Sequence, residues 1–347
     1  IVASAAQGSG LSNYAITYED GTFTVSTKAL TVTADNQTKT YGDLFTFTGS
    51  EFTATGLVNN DGIASVSLTS NGSAATAEVS GSPYSIVISN AVAASGTNLS
   101  NYAISYVNGS MTVNKQALTI TANNQSKTYG NSFTFLGSEY VATGLVNGDI
   151  ISSVSLSSTG AATTAAASSA NVSHPIVISS ATGAALSNYE ITYVNGVFTV
   201  NPKALTITAN SDSKIYGDAY TFDGDEFTSN GLVNNDAITS VTLTSAGSAA
   251  TAVVDVYDVV ASAAVGSGLE NYTISYVNGS LTVNQRALTI TANNQSKTYG
   301  DLFTFTGNEF TTNGLVNNDG IASVSLTSNG SAATAEVSGS PYSIVIS

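Results

Sequence analysis

Cysteine and tryptophan are absent from the 347-residue sequence, and histidine occurs once, at His174. Without cysteine there is no disulfide framework and no thiolate metal site. A Ser-His-Asp arrangement has a single histidine to draw on, beside Pro175, and serine is abundant everywhere, so nucleophilic catalysis finds no support. His174 reads as an incidental loop residue. Charge is also scarce: Asp, Glu, Lys and Arg make up 9% of the chain, well under the roughly one quarter usual for soluble domains. No Gly-rich segment ends in Gly-Lys-Ser or Gly-Lys-Thr, which excludes a phosphate loop. There is no uninterrupted apolar run of about 18 residues, so no transmembrane helix is expected. The opening Ile1-Val2-Ala3-Ser4 has neither an initiator Met nor a signal-peptide pattern, and any export signal or anchor is expected outside this window.

The surface must instead be covered by Thr, Ser, Asn and Gly. Threonine favours strands because its branched Cβ suits a pleated, half-exposed surface. The charge that exists is one-sided: 23 acidic against 8 basic residues give a net charge of −15. That surface repels a phosphate backbone and an anionic membrane, so neither nucleic acid nor membrane insertion is expected. It suits an extracellular or cell-surface protein and can recruit divalent cations.

The sequence repeats itself at long range. Ala29-Leu30-Thr31-Val32-Thr33-Ala34 recurs, with Ile in the place of Val32, at 117–122, 204–209 and 287–292, each time followed by Lys-x-Tyr-Gly. The tyrosines of that turn, Tyr41, Tyr129, Tyr216 and Tyr299, lie 88, 87 and 83 residues apart. A period of about 85 residues suits a small, independently folding domain and is too long for a solenoid repeat. The expected division is 1–27 as the C-terminal part of a repeat, 28–114, 115–202 and 203–284 as repeat domains, and 285–347 as the N-terminal part of another. Residues 301–347 reproduce 43–89 with three differences, Ser50/Asn308, Ala54/Thr312 and Thr55/Asn313. Two readings follow: an excerpt of a longer array, or partial copies that complete each other between molecules by strand donation.

Within one copy the alternation of Leu30, Val32 and Ala34 with threonines predicts a half-buried strand. Phe45 and Phe47 predict a second, Val66 and Leu68 a third, and Tyr84, Ile86 and Ile88 a fourth. Gly56–Asp61 is expected to be a tight connection or one helical turn. Tyr102, Ile104 and Tyr106, then Asn108-Gly109, then Met111 and Val113 read as a hairpin, since Asn-Gly between apolar runs favours a two-residue turn. The Ala/Thr/Ser stretch at 160–171 is expected to be a surface loop. The connections at 113–117 and 201–203 are short, one of them with proline, which restricts the angle between neighbours. The expectation is a mainly β tandem array of small β-grasp-like or β-sandwich-like domains in an elongated rod.

Four motifs recur in order: Ala-Leu-Thr-Ile-Thr-Ala, Lys-x-Tyr-Gly-Asp, Gly-Leu-Val-Asn-Asn-Asp and Asn-Tyr-x-Ile-x-Tyr-Val-Asn-Gly-x-x-Thr-Val. Together they resemble the MBG-type repeat of bacterial surface proteins, and the related YDG-type repeats are similar. The resemblance spans essentially the whole chain. It implies a large exported adhesin or exoprotein, fixes no particular ligand, and brings no catalytic residues or cofactor. The second copy departs from the pattern at Asn131, where the others have Asp43, Asp218 and Asp301.

Three sets of side chains are candidates for chemistry. The Asn-Asn-Asp segments place Asp61, Asp236 and Asp319, with Asp149 in the second copy, as weak Ca²⁺ candidates, one carboxylate per loop. The simpler reading of these segments is Asx turns. Lys39, Asp43 and Glu51, with their equivalents, are an isopeptide candidate; the simpler reading is a solvated turn with weak ion pairing, and intact mass would decide. The repeated tyrosines, among them Tyr41, Tyr102 and Tyr106, are either a sugar platform or core residues with the hydroxyl at the rim. The functions that follow are a structural extracellular repeat (the stalk of a giant adhesin or a filament block), a glycan- or surface-binding module, or a self-assembling fibre subunit. The partners implied are neighbouring copies of itself and host or environmental glycans.

Overall fold

The alternation that marks the first strand is realised in full: in β1 (Lys28–Ala34) Leu30, Val32 and Ala34 are buried and the threonines between them are half-buried. The computed structural model describes residues 1–347. The chain packs as two compact units, one of Ile1–Gln125, Phe135–Ser158 and Pro175–Val197, the other of Ser126–Thr134, Thr159–His174 and Phe198–Ser347.

The first copy lies wholly in the first unit. After β1 come β2 (Gln37–Thr40), β3 (Phe52–Thr55), β4 (Ile63–Thr69), β5 (Tyr84–Ala93), β6 (Tyr102–Val107) and β7 (Gly109–Asn114). They form two sheets, one ordered β3-β1-β6 and the other β2-β7-β5-β4. Leu30 and Val32 of the first sheet meet Val66, Leu68, Ile86, Ile88 and Met111 of the second in one apolar core. Leu30, Val32, Ile86 and Met111 have no exposed surface; each such side chain contributes about 1.5–3 kcal/mol of burial free energy. The result is a small two-sheet sandwich. There is no α-helix, only short 3₁₀ turns, so the sandwich and not the β-grasp describes the copy.

The third copy repeats this plan inside the second unit. Lys203–Ala209 lies between Phe227–Asn230 and Tyr272–Val277, and a second sheet runs Asp212–Ile215, Gly279–Asn284, Val256–Ser267, Ala237–Thr244. Lys28 is in register with Tyr102 in the first copy, and Lys203 with Tyr272 in the third. Residues 285–347 contribute two short pairs, Thr289–Ala292 with Phe310–Asn313 and Leu326–Thr327 with Val345–Ile346. Residues 1–27 form no strand.

Four local expectations are corrected. Phe45 and Phe47 do not form a strand; their rings pack edge to face with centroids 5.1 Å apart, and the Phe45 N–H donates to Ser73 O at 2.9 Å. Gly56–Asp61 contains no helical turn, because Asn59 and Asn60 are both left-handed, at φ 57° and 63°. The segment 160–171 is not a mere surface loop: Gly160 is buried in a 3₁₀ turn and Ala167 is 8% exposed. The largest correction concerns Asn108-Gly109. β6 pairs in parallel with β1, whereas β7 pairs with β5 and β2 in the other sheet. The dipeptide is therefore a crossover between sheets, not a hairpin turn. Gly109 is required for close approach and not for φ: a Cβ there would sit 2.6 Å from Ala34 O. Neighbouring alternating runs are equally compatible with pairing to each other or to opposite sheets, and only the long-range partners decide.

Candidate functional site

The Gly-Leu-Val-Asn-x-Asp segment is a tight turn that carries an aspartate. The Asp149 N–H closes it on Val146 O at 2.9 Å, and Asp61, Asp236 and Asp319 do the same on Val58, Val233 and Val316. Asparagine and glycine occupy the left-handed positions, with Asn147 at φ 55° and Gly148 at 77°, a region that these residues enter at low cost. So held, three of the four aspartates receive the phenol of their own copy: Tyr102 donates to Asp61 at 2.6 Å, Tyr189 to Asp149 at 2.6 Å and Tyr272 to Asp236 at 2.7 Å.

From the second copy onward the Oδ2 of this aspartate accepts a phenol from the preceding copy, the same oxygen that the own-copy phenol reaches in Asp149 and Asp236. In the first unit Tyr41 donates to Asp149 at 3.0 Å. In the second unit Tyr129 donates to Asp236 at 2.9 Å and Tyr216 to Asp319 at 3.0 Å. The paired rings meet edge to face, Tyr41 on Tyr189 and Tyr129 on Tyr272, each with centroids 5.5 Å apart. The tyrosine of Lys-x-Tyr-Gly is thus the staple of each copy to its successor. The glycine after it makes room for the successor's valine: a Cβ on Gly42 would meet Val146 Cγ2 at 2.6 Å.

Amide side chains complete the junction. Asn147 Nδ2 donates to Ala75 O at 3.1 Å, Asn234 to Thr163 O at 2.9 Å and Asn317 to Ala250 O at 2.9 Å. Asn188 is 1% exposed and accepts the Val79 N–H at 2.9 Å; Asn271 accepts the Ala167 N–H at 2.8 Å. The low-complexity segment around Ala167 therefore belongs to a junction. In the second unit Arg286, in the connection leading to the last copy, pairs with Asp218 at 2.8 Å and donates to Tyr216 O.

Burial, and then the hydrogen bond to the carboxylate, push Tyr189 and Tyr272 up to about 12. The same causes raise Tyr41 and Tyr129. The phenols are thereby held as neutral donors to the aspartate.

Asp61, Asp149, Asp236 and Asp319 each accept from tyrosine, and no three His, Cys, Asp or Glu side chains gather at metal-ligand distance. Lys39 is 7% exposed, and its ammonium donates to two backbone carbonyls, Asp43 O at 2.8 Å and Ala74 O at 2.5 Å. Burial lowers its pKa, against an upward pull from the Asp43 charge. Lys127 donates to Asn131 O and Ala162 O, and Lys214 to Asp218 O and Ala249 O. Since the acceptor is main chain, asparagine at 131 serves as well as aspartate, which accounts for the departure in the second copy. Glu51 is not brought to Lys39: it accepts from the N–H groups of Thr48, Gly49 and Ser50. These bonds outweigh the effect of burial and lower its pKa.

Tyr106 accepts the Ala91 N–H at 2.9 Å beside Asn90, which is left-handed at φ 51°. Tyr193 and Tyr276 do the same for Ala181 and Ala264. His174 is not a loop residue: it opens the strand His174–Thr182 and is 7% exposed, with Nε2 2.8 Å from Ala166 O. Sequence reasoning missed Asn188 and Asn271. Their signal is the Asn that immediately precedes the buried tyrosine in Leu-Ser-Asn-Tyr and Leu-Glu-Asn-Tyr.

No helix is long and apolar enough to cross a membrane. A family model described as MBG domain (YGX type) matches four segments in tandem, residues 30–112, 118–199, 205–282 and 288–347. No curated protein matches the chain.

Proposed function

Because the chain belongs to the family of YGX-type MBG domains, we propose that it is a structural extracellular repeat protein, a length of the stalk of a giant bacterial adhesin or a block of an extracellular filament. One observation carries this reading: the aspartates of the second and third copies, Asp149 and Asp236, are each shared between a phenol of their own copy and a phenol of the copy before it. A binding module needs only a face that repeats. A spacer also needs a defined joint, and the Tyr-Asp-Tyr cluster, the short connections and the buried asparagines supply one. Folded copies in series with restricted joints each add a fixed increment of reach. A surface poor in charge and rich in threonine and asparagine needs no ionic partner.

Small-angle scattering on chains with one to six added copies tests this. The maximum dimension should rise by the same increment per copy, at both low and high salt. A dimension that grows only as the square root of copy number would describe a flexible string and end the spacer reading. Retention on a glycan array by a single copy would transfer the function to the adhesive reading.

A further inference from the structure

Tyr41 and Tyr189 come from successive copies, meet edge to face at 5.5 Å, and send both hydroxyls to the same oxygen of Asp149. Tyr129 and Tyr272 repeat the arrangement on Asp236. Converging on one oxygen, the two hydroxyls hold the phenol ends of the rings together, with the ring centroids 5.5 Å apart in each pair. All four rings are at least nine-tenths buried, with exposures of 4%, 2%, 4% and 8% in the order named, while both aspartates are half-exposed. A phenol hydrogen-bonded to a carboxylate can lose its electron and its proton together, because the proton has an acceptor in place.

We propose that these two tyrosine pairs are oxidative cross-linking sites, at which a one-electron oxidant couples the phenols into dityrosine and joins successive copies covalently. The proposal rests on the reading of the chain as a structural repeat and extends it from hydrogen-bonded joints to covalent ones. One electron leaves each ring, and its proton leaves through the aspartate to solvent. The two phenoxyl radicals combine through their ortho carbons. Each ring then loses its ortho hydrogen as a proton and regains a proton on oxygen. Two electrons and two protons are lost per link, which a peroxide consumes to give two waters. Tyr102 on Asp61 and Tyr216 on Asp319 are internal controls, because each of those carboxylates receives one phenol.

The test uses the intact chain at high dilution, photo-oxidised by a ruthenium tris-bipyridine complex with persulfate, a small outer-sphere oxidant that need not touch the buried rings. The expected product has monomer mass less two hydrogens per link, blue dityrosine fluorescence, and peptides joining Tyr41 to Tyr189 and Tyr129 to Tyr272. Tyr41→Phe should halve the intramolecular yield and leave the second link, and Tyr129→Phe should do the converse. Fluorescence confined to dimers, links mapping to exposed tyrosines such as Tyr14 in place of these pairs, or an unchanged yield in both variants would overturn the proposal. The scattering increments are independent of this outcome, so failure of the cross-link and failure of the spacer reading are read separately.

Discussion

The phenol of Tyr41 donates to the carboxylate of Asp149, 3.0 Å away and 108 positions along the chain. Tyr189 donates to the same oxygen. Removing the charge should therefore disturb two copies at once. Asp149→Asn is expected to cost about 1.5–3 kcal/mol, the scale of a hydrogen bond to a charged group. Combined with Tyr41→Phe, it should cost less than the two single changes together, because both remove one contact. Calorimetry of the four chains checks this, and strict additivity would show that the bond carries no coupling.

Gly42 and Gly300 separate backbone strain from crowding. Both are left-handed, at φ 95° and 97°, but only Gly42 faces a valine of the next copy, and nothing lies within 4 Å of a Cβ at Gly300. Gly42→Ala should lower stability by about 1–3 kcal/mol more than Gly300→Ala, the usual cost of overpacking. Equal melting shifts would mean that Val146 moves aside freely.

The buried ammonium of Lys39 satisfies the carbonyls of Asp43 and Ala74. Lys39→Met keeps the bulk of the side chain and leaves both acceptors without that donor, at a cost of about 1–3 kcal/mol. Lys297→Met, at the less buried equivalent, should cost less. Denaturant midpoints of the two variants give the comparison, and the reverse order would argue against it.

Alkali and acid should act on different groups. Tyr189 and Tyr272 stand at about 12 in the folded chain against an ordinary 10.0. A raised folded value favours the protonated form, so this stabilisation is complete below 10 and disappears as pH rises toward 12. Glu309 is the opposite case, drawn down to about 2 first by the Thr306 N–H and then by its hydroxyl. Its contribution is present above the ordinary carboxylate range, near 4.3, and is lost as pH falls toward 2. Phenolate absorbance should show a late-titrating class that coincides with loss of the junction. In acid, Glu309→Gln should flatten the pH dependence contributed by the last copy.

The period, the β1 pattern and the importance of Lys-x-Tyr-Gly and Asn-x-Asp are legible in the sequence, because local alternation and self-similarity need no knowledge of distant partners. The meeting of Tyr41 with Asp149 is not, since nothing in either motif says which copy supplies the acceptor. The crossover at Asn108-Gly109 is hidden for a related reason. The Ala34 carbonyl that excludes a side chain at Gly109 comes from another strand, and in one dimension the dipeptide looks like a turn. Lys39 misleads differently: its position suggests carboxylate chemistry, while its burial sets it to bonding the main chain.

The placement of β1 and β7 bears on how a copy responds to tension. A pull delivered at Lys28 and Asn114 enters through two strands that are each flanked on both sides, β1 by β3 and β6, and β7 by β2 and β5. Neither strand can be unzipped one rung at a time from a free margin. The parallel ladders β1–β6 and β2–β7 hold the two loaded strands along their length, so a pull directed along them is expected to meet many bonds at once.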